Sequence, residues 1–181
     1  MRTVGKWFGG WKLRLTRRKG DLEAPAKGPL ANGGGPRIEF AHAAHRMVYE
    51  KVRLILRQLF GELAAPDPVK PLFVLRYGRA TVHIYVDAWG DDDASVGVFA
   101  WVAGGLRVTG EMASHLLREN TLYRYGGFAV DADGELMFRY SVPGATCSKD
   151  ELKSAVMAVA VSADRADEEV LKRYGAARIE A

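Results

Sequence analysis

The chain has 181 residues, 48% of them apolar and 27% charged, with a single cysteine, Cys147. That is enough for one ordinary globular domain plus an appendage, while the lone cysteine excludes an internal disulfide or a thiolate metal cluster and fits a reducing, cytoplasmic home. No apolar run approaches the roughly 20 residues a bilayer requires, and the net charge of +4 is uneven: residues 1–37 hold nine Lys and Arg against Asp21 and Glu23, a balance of +7, which leaves −3 for the rest.

The basic segment comes first. Trp7, Phe8, Trp11, Leu13 and Leu15 alternate with Lys6, Lys12, Arg14, Arg17, Arg18 and Lys19, so residues 1–19 read as a basic aromatic arm able to meet an anionic membrane, an acidic protein, RNA or the folded module itself, or to remain an unstructured tail. Residues 20–37 are rich in Gly, Pro and Ala and too poor in large apolar groups to offset their backbone entropy, which predicts a flexible linker. The folded remainder is mildly acidic and is not a basic platform for nucleic acid.

From Glu39 to Leu63, Phe40, Ala44, Met47, Val48, Val52, Ile55, Leu56, Leu59 and Leu63 recur at the three-and-four spacing of a helical stripe. Pro66 and Pro68 end it. Leu72–Tyr77 and Arg79–Ala88 then meet at Gly78 as a hairpin, and the polar turn at Gly90–Asp93 leads to a third strand over Ser95–Val102. In the second and third strands Val82, Ile84, Val86, Ala88, Val96, Val98, Ala100 and Val102 share one parity; His83, Tyr85, Phe99 and Trp101 fall on the other. The aliphatic set is expected to face the helices and the aromatic set the opposite face, open to solvent, a second subunit or a peptide.

Thr109 caps a short helix reaching Glu119, with Met112, Leu116 and Leu117 inward and Asn120 placed for a left-handed stop. Tyr125–Asp131 and Glu135–Val142 form a hairpin across Asp131-Ala132-Asp133-Gly134. Ser148 and Glu151 have capping-box spacing, and Leu152, Ala155, Val156, Val159, Ala160, Val170, Leu171 and Tyr174 supply the stripe of a closing helix, interrupted near Ser162. The fold class is therefore α+β, a five-stranded antiparallel sheet in the order α-β-β-β-α-β-β-α, with the domain over residues 38–176 and a tail at 177–181.

Taken together, Leu116-Leu117-Arg118-Glu119-Asn120, the hairpin Phe128–Glu135 and the helix start at Ser148–Glu151 resemble the YbjN-type proteins and the broader group that joins them to type III secretion chaperones. The resemblance spans roughly Glu39–Tyr174. It implies a chaperone-like fold, often dimeric in the secretion branch, that binds a segment of another protein and performs no chemistry. The arm is no part of it.

No assembled catalytic set competes with that reading. His42 and His45 lie three apart but lack a third ligand and are expected as surface or packing residues. Asp91, Asp92 and Asp93, and likewise Asp131, Asp133 and Glu135, lack the remaining ligands of a calcium loop and suit solvated turns. Cys147 has no identifiable base, and neither Gly33-Gly34-Gly35 nor Gly104-Gly105 fits a nucleotide fingerprint. The expectation is a non-enzymatic binding module without cofactor or metal, with His83, Tyr85, Phe99 and Trp101 as peptide contacts and a protein or peptide client, and with homodimerisation open. The alternative is an adaptor for anionic membrane or nucleic acid acting through Trp7, Phe8, Trp11, Arg14, Arg17 and Arg18.

Overall fold

A computed structural model describes residues 37–102 and 108–174, apart from the side chains of Asp167 and Leu171. The arm, most of the linker, Gly104-Gly105, the tail and the Leu171 side chain lie outside the described residues.

Helix α1 spans Ala43–Phe60. His42 starts it, its Nδ1 accepting from the His45 N–H at 3.2 Å, so the helix begins four residues later than its apolar pattern. Gly61, at φ 60°, ends it. A single 3₁₀ turn, Gly61–Leu63, follows. The buried stripe is His45, Val48, Tyr49, Val52 and Leu56. Met47 and Leu63, expected on it, are 71% and 72% exposed: Met47 is one residue, about 100°, off the stripe, and Leu63 lies beyond the glycine stop.

Among the described residues the sheet has six strands rather than five, in the order β1-β2-β3-β4-β6-β5, with every pair antiparallel. The additional strand, β1 (Ala64–Pro66), uses the residues expected only to stop the helix; extended as proline prefers, they pair Ala64 with Leu75 and Pro66 with Phe73. β2 (Leu72–Tyr77), β3 (Ala80–Trp89) and β4 (Asp93–Trp101) follow as a meander. β5 (Gly127–Val130) and β6 (Leu136–Pro143) make the last hairpin.

Pairings such as Ile84 with Val98 and Val86 with Val96 put the aliphatic parity on one face. There α1 and α3 (Lys149–Tyr174) cover it. Val52, Val82, Ile84, Val86, Val96, Val98, Phe138, Leu152 and Val156 are fully buried, at about 1.5–3 kcal/mol for each large side chain. Ala88, assigned to this face, is exposed at the strand end. The capping box at α3 forms: Ser148 Oγ accepts from the Glu151 N–H at 3.2 Å and Glu151 Oε2 from the Ser148 N–H at 3.4 Å. The helix continues through Ser162 without a break, because Ala155, Ala160, Ala163 and Ala166 keep it close to the sheet at no side-chain entropy cost.

Helix α2 (Gly110–Glu119) is capped by Thr109, whose Oγ1 accepts from the Met112 N–H at 3.3 Å. Met112 and Leu116 are buried, but Leu117 is 67% exposed, one step round the helix from Leu116. Asn120 does not take left-handed angles (φ −57°). Its side chain instead acts as a strand partner for β5: Oδ1 accepts from the Phe128 N–H at 2.7 Å and Nδ2 donates to the Phe128 carbonyl at 3.2 Å.

Candidate functional site

The aromatic parity lies on the sheet face away from α1 and α3, as its alternation requires, and the register brings all four expected residues together. His83 pairs with Phe99 across β3 and β4; the rings stack at 4.9 Å and 13°. Trp101 meets both edge-on at 4.9 Å, and Tyr85 meets Phe99 at 5.7 Å. The rings pack on one another; Phe99 is only 2% exposed, while His83, Tyr85 and Trp101 are half-buried. The expected open aromatic surface is thus a closed slab with three accessible rims.

Polar groups hold the slab at its edges. Trp101 Nε1 donates to Asp131 Oδ2 at 3.2 Å, while Asp131 Oδ1 accepts from the Asp133 and Glu135 N–H groups at 3.0 and 2.8 Å. One aspartate thereby fixes both the β5–β6 turn and the indole. Arg139 donates to the Tyr85 hydroxyl at 3.2 Å and to Ser141 Oγ at 3.4 Å. Tyr85 lies across Gly97, where a Cβ would overlap its ring. Burial pushes His83 down to about 4, leaving it neutral at neutral pH, and pushes the Tyr85 hydroxyl up.

The second element of the site is a strand edge that the sequence did not single out. β5 pairs only as far as Gly127 with Arg139, because Gly126, at φ 75°, turns the chain away. Residues 140–143 of β6 thus have β4 on one side and no strand on the other among the described residues. The Val102 N–H bonds to the Leu136 carbonyl, so even-numbered residues of β6 point to β4 and Ser141 points its N–H and C=O outward. The other edges are blunted: β1 is three residues ending in proline, and Asn120 occupies both backbone groups of Phe128 on β5.

Cavities flank this free half-strand on both faces. On the aromatic side, Trp89, Asp93, Ser95, Ser141 and Pro143 border one of about 450 Å³. On the helix side, Tyr125, Tyr140 and the first turns of α3 border one of about 350 Å³. Of the β6 residues, Tyr140 lines the helix-side cavity, while Ser141, Val142 and Pro143 line the other. The doublet Gly126-Gly127 was the only sequence signal for the shortened β5.

The remaining candidates fall elsewhere. His42 caps α1, and His45 is buried beneath the sheet. Cys147 is buried, and burial together with Glu151 pushes its thiol up, the opposite of an activated thiolate. Among the described residues no group of His, Cys, Asp and Glu is placed to hold a metal, and no helix is long and apolar enough to cross a membrane. Trp7, Phe8, Trp11, Arg14, Arg17 and Arg18 lie outside the described residues.

A family model, TY-Chap1, described as a T3SS (YopN, CesT) and YbjN peptide-binding chaperone, matches residues 47–180. Among solved structures the chain is similar to the HopA1-SchA chaperone-effector complex, with 14% identity and a TM-score of 0.52 over 70% of this chain and 99% of that one. It is also similar to the ExsC-ExsE complex, again with 14% identity and a TM-score of 0.52, over 66% and 93%. At that identity the likeness is one of fold. No curated protein matches the chain.

Proposed function

The chain belongs to the family of T3SS and YbjN peptide-binding chaperones, and on that premise we propose that it binds an extended segment of a client protein as an added strand on the free half of β6. The observation that carries the reading is Ser141. Its backbone donor and acceptor face outward in a sheet whose other edges are blunted, between cavities able to take alternate side chains. Main-chain pairing supplies affinity in this mode and the pockets supply selectivity.

His83, Tyr85 and Trp101 are proposed as contacts for the client where it continues over the sheet, with Phe99 as the buried ring that holds them. The reading is non-enzymatic: binding, without a reaction. It places the folded module at residues 38–176, in the cytoplasm, and leaves a second copy of the chain as a compatible partner. The structures that resemble it include chaperone–effector complexes, which favours a protein client over a lipid or nucleic acid held by the arm.

Co-purification from host lysate, with mass spectrometry of retained proteins, tests this. The full-length chain should retain a protein that is lost from Ser141→Pro and reduced for Trp101→Ala and Tyr85→Ala. Retention indifferent to all three substitutions would remove both the edge and the face from the account. Loss of the retained material at high salt, with lipid or nucleic acid as its content, would favour the arm instead.

A further inference from the structure

The cavity on the helix side of β6 has an unusual lining. Tyr125 and Tyr140 stand 5.8 Å apart with their planes inclined by 49°, and Asp150, Glu151, Ser148 and Ser154 complete the lining. Among the described residues no lysine or arginine lines it. Lys51 is held at the carbonyls of Gly144 and Ala145, at 3.4 and 3.0 Å. The first turn of α3 contributes a partial positive charge of about half a unit, which two full carboxylates outweigh. Across the sheet, the other cavity is bordered by Trp89 and Pro143 and is mostly apolar. A strand laid against Ser141 sends successive side chains alternately into these two spaces.

We propose that the client segment carries a lysine or arginine which packs beside the Tyr125–Tyr140 pair against Asp150 and Glu151, with apolar neighbours directed to the Trp89 cavity. This rests on the strand-addition reading above and specifies its client. Ring faces attract a cation and the carboxylates neutralise it. A glutamate there would meet like charge, and an uncharged side chain would cover the carboxylates without supplying a counter-charge. The apolar neighbours follow from the same register: the residue opposite Ser141 lies on the face of Trp89, Ser95 and Pro143.

The test uses the full-length chain and fluorescence anisotropy with a dye-labelled peptide, Ser-Thr-Leu-Lys-Leu-Thr-Ser, blocked at both ends. Companion peptides carry glutamine or glutamate in place of the lysine, and a fourth carries methyl groups on the leucine amide nitrogens. The lysine peptide should bind about tenfold more tightly than the glutamine peptide, and more tightly still than the glutamate one. The variant Asp150→Asn with Glu151→Gln, in which the amide can still serve the capping box, should bring the lysine and glutamine peptides to parity. Tyr125→Leu should lower the preference without abolishing binding. The methylated peptide should fail with every protein. Equal binding of the lysine, glutamine and glutamate peptides, with the methylated peptide failing to bind, overturns the cation subsite and leaves strand addition standing. Binding indifferent to methylation, or no saturable binding, overturns strand addition and this inference with it.

Discussion

His45 and Val86 are joined by a hydrogen bond that fills a gap left by proline. His45 Nε2 lies 2.9 Å from the Val86 carbonyl, and because Nδ1 accepts from the Ala41 N–H at 3.2 Å, Nε2 is the nitrogen that carries the proton. The Val86 N–H bonds to the Pro71 carbonyl, but Pro71 has no N–H to return to the Val86 carbonyl. A side chain from α1 thus completes the β2–β3 ladder. His45→Leu should cost about 1–3 kcal/mol in urea unfolding, the cost of an unsatisfied buried carbonyl. Pro71→Ala, which restores an N–H at that position, should recover part of the loss in the double variant. Strictly additive effects would mean the two positions do not share the carbonyl.

Gly97 and Tyr85 form a second such pair. A methyl group at position 97 would overlap the tyrosine ring, so Gly97→Ala should destabilise by about 1–3 kcal/mol. With Tyr85→Ala already present the same change should cost much less. A double-mutant cycle on unfolding free energies measures the coupling.

His83 links stability to pH. Burial holds its folded value at about 4, against about 6.5 when unfolded. Between those values the unfolded chain binds the extra proton, so this group's contribution is fully present above pH 6.5 and is lost as pH falls toward 4, by up to about 3 kcal/mol. Unfolding curves for the wild type and His83→Gln, compared at pH 7 and 4.5, should show the wild type losing more. Parallel losses would mean the ring is solvated in the folded state.

Asn120 protects an edge. Asn120→Ala leaves the Phe128 N–H and carbonyl without their partner and should cost about 1–2 kcal/mol. It should also raise self-association, since an exposed edge strand recruits another chain. Light scattering at increasing concentration reads the second effect, and a variant that remains as dispersed as wild type would show that the edge is blunted by other means.

Much of the scaffold was legible because it rests on local chemistry. The β2–β3 and β5–β6 turns, the capping box at Ser148 and Glu151, and the parity that separates Val82, Ile84 and Val86 from His83 and Tyr85 depend on residues a few positions apart. The aromatic set was legible as a group but not as a closed slab, because the mutual cover of His83, Phe99 and Trp101 depends on cross-strand register, which no single strand encodes. β1 was hidden because prolines read as stops before they read as edge residues. The free half of β6 was hidden because it results from β5 ending early, and Asn120 misled because its partner, Phe128, lies eight residues on.

The most direct measurement on the central claim is amide hydrogen exchange of the full-length chain, alone and with a co-purified client bound. Strand addition requires that the Ser141 amide, outward-facing in the free protein, become protected in the complex, with smaller changes around Trp101 and Tyr85. A stable complex in which Ser141 exchanges as fast as in the free chain would contradict the account.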